Sequence, residues 1–111
     1  TALYALHPPP PIHPQLARAR RVYLHSVAQR IAQEPRVLVA GDFNLTPYSP
    51  LYRQFVRDSR LRAATLHYLP TWKPLYLNID LAFARDLALR VDALPWQYSD
   101  HRPLLLHWRA P

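Results

Sequence analysis

Gly41-Asp42-Phe43-Asn44 follows the apolar run Val37-Leu38-Val39-Ala40, and Ser99-Asp100-His101 stands just before Leu104-Leu105-Leu106. Each motif puts a carboxylate at the edge of a strand that reads as buried. An ionised Asp has no structural use at such an edge, because a charge taken out of water is costly unless it is paired. A third acid, Asp80, lies in Asn78-Ile79-Asp80 beside apolar neighbours and needs a partner. The three read as parts of one polar site, of a kind that suits a divalent cation and a phosphate group.

Asp42 and Asn44 are two residues apart, and alternate residues of an extended segment point the same way. An anionic acceptor and a neutral amide would then face one point. Asp42 could orient or deprotonate a water, while the Asn44 amide donates to a phosphate oxygen or anchors that water. The ordinary alternative is a loop-capping Asp followed by an Asn in a turn. His101 becomes a cation facing phosphate if a carboxylate raises its pKa. Asp80 is the candidate for that carboxylate, which leaves Asp100 to face a metal. Here the ordinary alternative is a Ser-Asp turn cap with His101 half exposed. His7 ends a first strand and is a candidate phosphate contact at the same site. His13, His25 and His67 read as surface or helix residues, and His107 reads as structural. There is no His-x-x-x-His and no cysteine, so zinc is disfavoured and oxygen ligands point to Mg2+ or Mn2+.

The elements that must position these groups follow from periodicity and punctuation. Thr1 to His7 alternates as a strand, and Pro8-Pro9-Pro10-Pro11 ends it as a stiff, exposed connector that removes backbone donors. The run also fits a P-x-x-P ligand, but its place between two regular elements favours a spacer. Pro14 to Gln33 predicts an amphipathic helix, with Leu16, Tyr23, Val27 and Ile31 on one face and Ala19 and Leu24 beside it. Pro14 suits its first turn and Pro35 its end. Arg36 to Ala40 predicts a strand buried on both faces. Gly41, the chain's one glycine, marks a turn or close approach that a side chain would block. Ser49 is a helix cap with Pro50 at the first position, and a helix follows over Leu51 to Arg57 with Leu51, Tyr52 and Phe55 inward. Leu61 to Tyr68 is part loop and part strand. Asn78 to Ala84 and Ala88 to Ala93 predict two strands with a turn at Arg85-Asp86, and Leu104 to Trp108 predicts a last strand. No repeat and no second domain is visible.

The chain has 111 residues, half of them hydrophobic, which allows one domain with a real core and argues against disorder. No apolar run approaches the about 20 residues that span a bilayer. No signal-peptide pattern is present. The opening at Thr1 and the missing Met predict a piece of a longer polypeptide. Net charge is +7, which favours anionic partners, although arginine-rich codon usage gives the same balance. Three of the seven acids, Asp42, Asp80 and Asp100, sit in the site motifs rather than spread as counter-charges. The lack of cysteine excludes disulfides and says little about compartment.

These motifs, with Thr71-Trp72 between them and in this order, resemble the endonuclease/exonuclease/phosphatase superfamily of metal-dependent phosphohydrolases. It includes deoxyribonuclease, abasic-site endonucleases, sphingomyelinases and inositol-phosphate phosphatases. The resemblance covers the whole chain but only the C-terminal half of the family domain. It implies an α/β fold: half of a four-layer α/β/β/α sandwich, with mostly antiparallel and mixed sheet and flanking helices. Residues 1–111 would be that half-domain. Carried over by motif, Asp42 resembles the water-activating residue and Asn44 its phosphate-binding, water-positioning partner. His101 resembles the histidine at the scissile phosphate, Asp80 the carboxylate orienting it, and Asp100 the further acid near the metal. His7 resembles an upstream histidine that follows a strand. The family's metal-holding Glu belongs to the other half, and Glu34, at the end of a helix, does not replace it.

The resemblance therefore predicts a Mg2+- or Mn2+-dependent phosphoesterase, with Asp42 and Asp100 toward the metal. The substrate would be a phosphate ester of nucleic acid, phospholipid or inositol phosphate. The partner would be the N-terminal half of the same domain, or a second copy through the uncovered sheet, and the isolated segment would have little activity. The proline run after His7 resembles a bacterial subgroup that often carries N-terminal membrane helices. Two competing readings remain. One is an inactive basic module that holds nucleic acid or anionic lipid through Arg18, Arg21, Arg53 and Arg57. The other is a structural domain whose acids cap loops.

Overall fold

A computed structural model of the protein describes residues 1–65, 70–74, 77–97 and 99–110. The elements run β1 (Ala2–Leu6), α1 (Pro14–Ile31), β2 (Val37–Asp42), α2 (Pro50–Ser59), β3 (Arg62–Ala63), β4 (Asp80–Arg85), β5 (Ala88–Ala93) and β6 (Leu104–Arg109). A four-stranded sheet has the order β1-β2-β4-β3, and β5 pairs with β6 in a second sheet. β1 and β2 are parallel, and the other strand pairings among the described residues are antiparallel. This mixed α/β arrangement agrees with the predicted partial sandwich.

β2 lies between β1 and β4, and Val37, Leu38 and Val39 are buried, as an uninterrupted apolar run requires. β1 is an edge strand and alternates: Ala2, Tyr4 and Leu6 pack on the core while Leu3 and Ala5 are exposed on the opposite face. Both helices cover one face of the sheet. Leu24, Ala28 and Ile31 of α1 and Tyr52 and Phe55 of α2 join Val37, Val39, Leu81 and Phe83 in one cluster. At its centre Phe43 meets Phe55 and Phe83 edge-on, with ring centroids 5.4 and 5.2 Å apart.

α1 begins at Pro14 after His13, and α2 at Pro50 after Ser49, whose hydroxyl accepts the Leu51 N–H at 3.2 Å. α1 is shorter than its pattern, ending at Ile31, and its inward face is turned: Ala28 is buried and Arg20 half-buried, while Ala19 is exposed. The two helices run the same way. β1 and β2 are parallel, so α1 must return antiparallel to both. β3 also runs with β2, because each is antiparallel to β4, so α2 returns in the same sense as α1. Arg85 shows the consequence: it donates to Ser59 O at 2.6 Å, to Ile31 O at 2.8 Å and to Glu34 O, gathering carbonyls at and just beyond both helix C-termini. The helix N-termini lie at the other end, beside the C-terminal ends of β1 and β2.

Two local expectations are corrected. Pro8 is buried, so the proline run is a wholly exposed connector only from Pro10 on. The turn after β4 is Asp86-Leu87, with Arg85 still in the strand and Asp86 at φ 58°. β4 and β5 are neighbours in sequence yet belong to different sheets. Of the ambiguous stretch Leu61 to Tyr68, Arg62–Ala63 forms β3, whereas residues 66–69, including His67, lie outside the described residues. Leu104 and Leu106 of β6 line a cleft of about 230 Å³ with Ala40, Asp42, Asp80 and Ala82 of the first sheet. Among the described residues no helix is long and apolar enough to cross a membrane.

Candidate active site

Asp42 ends β2 and Asp80 begins β4, and the antiparallel register sets them opposite each other. Two carboxylates are thus brought side by side by backbone pairing alone. Gly41 makes this edge possible: its φ is +153°, and a Cβ there would lie 2.0 Å from Leu6 O. β1 therefore approaches β2 at the one residue without a side chain. His101 comes from a segment held by main-chain bonds, Lys73 N–H to Asp100 O at 2.8 Å and Arg102 N–H to Thr71 O at 2.7 Å. Trp72 and His101 form the bridge between them.

His101 Nδ1 lies 2.7 Å from Asp80 Oδ2, and His101 Nε2 lies 3.6 Å from Asp42 Oδ2. His7 Nε2 is 3.8 Å from the same Asp42 oxygen, with its backbone N–H donating to the Tyr23 hydroxyl at 3.2 Å. His7 is largely exposed, whereas the Asp42 and Asp80 side chains are mostly covered. Burial works against the His101 cation, but the hydrogen bond to Asp80 and the charges of Asp80, Asp42 and Asp100 outweigh it and raise its pKa. Burial also raises the Asp80 pKa, with Asp42 adding to the rise, against the opposing hydrogen bonds to His101 and Thr71. The pair thus holds a proton more firmly than its separate groups would, and the imidazole is biased toward the cation.

Asn44 differs from its expected geometry. It lies past the end of β2 at φ 52°, so it does not share an extended segment with Asp42. Its backbone N–H donates to Asp42 Oδ1 at 3.0 Å, and its side-chain amide donates to Pro8 O at 2.7 Å. The turn still places the Asn44 amide beside the site, with one N–H committed to the β1–α1 loop and a second left over. Asp100 is exposed and stands outside the group formed by Asp42, Asp80 and His101. Glu34 is far from it, beyond the C-terminus of α1, where it accepts the Tyr4 hydroxyl at 2.9 Å. His107 faces Asp92 across the second sheet at 3.3 Å and is not in the group formed by Asp42, Asp80 and His101.

Sequence reasoning gave no role to Thr71 beyond its place in a motif. It is fully buried, and its hydroxyl accepts the N–H groups of Ile79 at 3.2 Å and Asp80 at 3.0 Å. It fixes the entry of β4 and hence the Asp80 carboxylate. Arg20 was also missed: its guanidinium donates to Asn44 O at 2.7 Å. A signal existed in Arg20's place on the inward side of α1, where an arginine needs a partner.

Asp42, Asp80 and His101 each bring a ligand atom, all within 4.8 Å of one another. The donor set fits a hard divalent cation in part. The carboxylate oxygens suit Mg2+ or Mn2+, but Asp80 Oδ2 is already engaged by His101, so Asp42 is the freer donor.

The model of the Endonuclease/Exonuclease/phosphatase family matches residues 2–101. The chain belongs to this family. No curated protein sequence matches it significantly. Among solved structures, a functionally unknown conserved protein from Enterococcus faecalis V583 superposes with a TM-score of 0.72 at 20% identity, over 98% of this chain and 50% of that one. Sphingomyelinase C from Streptomyces griseocarneus gives 0.63 at 16% identity, over 94% and 51%. The human Nocturnin catalytic domain with bound sulfate gives 0.64 at 24% identity, over 96% and 45%. The chain spans about half the length of these structures. For this Endonuclease/Exonuclease/phosphatase family member, the likeness to them is one of fold.

Proposed function

We propose that the protein is a metal-dependent phosphoesterase that cleaves a phosphate ester by attack of an activated water. The observation that carries this reading is the linked series Asp80–His101–Asp42, in which one carboxylate grips the imidazole and the other faces its far nitrogen. Family membership supports phosphate-ester hydrolysis as the reaction class.

In this reading Asp42 orients the attacking water and receives its proton. His101, kept cationic by Asp80, presents Nε2–H to a phosphate oxygen and stabilises the charge that builds there. The free amide N–H of Asn44 donates to a second oxygen or to the water, and His7 makes a further phosphate contact from the solvent side. A Mg2+ or Mn2+ ion would be held by Asp42, the freer carboxylate of the group, with Asp100 outside that group, and would neutralise phosphate charge when bound. The glutamate that the family uses for its metal lies outside residues 1–111 in this reading.

The test is hydrolysis of bis-p-nitrophenyl phosphate and p-nitrophenyl phosphate by the full-length protein, with Mg2+, with Mn2+ and with EDTA. Asp42→Ala and His101→Ala should each remove most turnover while thermal unfolding stays cooperative, and EDTA should silence the unaltered protein. Full turnover in both variants would sink the assignment. Salt-sensitive anion binding that Asp42→Ala leaves unchanged, without any hydrolysis, would favour the inactive basic module instead.

A further inference from the structure

We infer that the end of the fold bearing Asp42 and His101 docks on an anionic lipid bilayer, with Ile12 and Tyr48 as the inserting side chains. The parallel helices place the β1–α1 and β2–α2 loops together at this end. The loops are stitched to each other: the Asn44 amide donates to Pro8 O at 2.7 Å, and Arg20 of α1 donates to Asn44 O at 2.7 Å. Each loop exposes one large apolar side chain, Ile12 at 76% and Tyr48 at 69%. Each is flanked by prolines, Pro11 before Ile12 and Pro47 before Tyr48. Loops stiffened in this way lose little freedom on docking.

A single exposed apolar residue would mean nothing. The charge behind these two gives the pair a direction. Toward this end α1 carries Arg18 and Arg21 and α2 carries Arg53, and neither helix has an acid in its first turn. Arg18, Arg21 and Arg53 are exposed, whereas Arg57 lies in the last turn of α2 and pairs with Asp58 at 3.6 Å. Arg53 reaches the apolar tip directly, donating to Tyr48 O at 3.3 Å. An apolar tip backed by guanidinium groups is the pattern of an interfacial anchor, where the aliphatic or aromatic end enters the acyl boundary and the cations meet anionic headgroups. A nucleic acid would use the arginines and could stack a base on Tyr48, but its phosphate backbone offers nothing to the exposed aliphatic side chain of Ile12. The bilayer uses all of these groups at once. The docking surface does not depend on the phosphoesterase reading. Joined to it, it makes the substrate a phosphate ester presented at a membrane surface, since the same edge carries His7, Asp42 and His101.

Residues 1–111 hold no cysteine, so with any cysteine outside them changed to serine a single introduced thiol is labelled site-specifically. Ile12→Cys, Tyr48→Cys and Gln33→Cys in the full-length protein are each labelled with an environment-sensitive nitrobenzoxadiazole dye. Gln33 is exposed and lies beyond the C-terminus of α1, at the opposite end. Vesicles of phosphatidylcholine with phosphatidylserine should shift the emission to the blue at positions 12 and 48 and leave position 33 unchanged. Phosphatidylcholine alone should give a smaller shift. No shift at 12 and 48, an equal shift at 33, or a response to single-stranded oligonucleotide in place of vesicles would overturn the proposal. Bis-p-nitrophenyl phosphate hydrolysis is measured alongside with the Ile12→Ser/Tyr48→Ser double variant and should match the unaltered protein. If the unaltered protein fails to hydrolyse that ester, the phosphoesterase reading falls, and the dye response still decides the docking.

Discussion

Asp80 Oδ2 and His101 Nδ1 lie 2.7 Å apart, and Asp80 is also the register partner of Asp42 across β2 and β4. One carboxylate therefore answers to a strand pairing on one side and to a loop histidine on the other. The histidine is tuned by groups the strands deliver, so its protonation reports whether the site is assembled.

The His101 pKa should lie above 6.5 in the folded protein, and Asp80→Asn should move it down. Two-dimensional NMR of the imidazole ring against pH reads both values. Because the folded pKa is the higher one, the stability His101 contributes is complete below its unfolded pKa and is lost as pH rises through the folded pKa. Urea midpoints should therefore fall on going from pH 6.5 upward, and the fall should flatten in Asp80→Asn. Asp80, also raised, acts in the same sense, losing its contribution as pH rises out of the acid carboxylate range.

Gly41→Ala should cost about 2–4 kcal/mol, since it adds a side chain at a positive φ and against the backbone of the neighbouring strand. Urea unfolding measures the loss. The His7–Asp42 proximity depends on the β1–β2 register, so the variant should also broaden the His7 ring signals.

Thr71→Val should cost about 1–3 kcal/mol by leaving the Ile79 and Asp80 N–H groups without their acceptor. Thr71→Ser keeps the hydroxyl and should recover most of that loss. The His101 titration should shift in Thr71→Val and return in Thr71→Ser, an effect that a mere cavity would not produce.

Arg85→Met should destabilise by about 2–4 kcal/mol, because the carbonyls of Ser59, Ile31 and Glu34 lose their shared donor while the aliphatic volume is kept. Arg85→Lys should recover only part, since one ammonium cannot span the fork that the guanidinium makes. Thermal unfolding of the three proteins checks the order.

The sequence by itself determined the local pieces. Val37-Leu38-Val39 had to be a buried strand because nothing polar interrupts it, and Ser49-Pro50 had to open a helix because one caps and the other fits the first turn. The acids at strand edges marked the site for the same reason: burial makes an unpartnered charge untenable. Their identity and order also carried the family. Tertiary structure decided everything that depends on pairing between distant segments. That β5 leaves β4 for a second sheet, that α1 turns Arg20 and Ala28 inward, and that Asn44 leaves the strand to bond Pro8 are results of long-range packing, to which a local period is blind. The same holds for the distances that make chemistry. Asp42, Asp80 and His101 are spread over sixty residues, and only the β2–β4 register and the Thr71–Arg102 bond bring their ligand atoms within 4.8 Å.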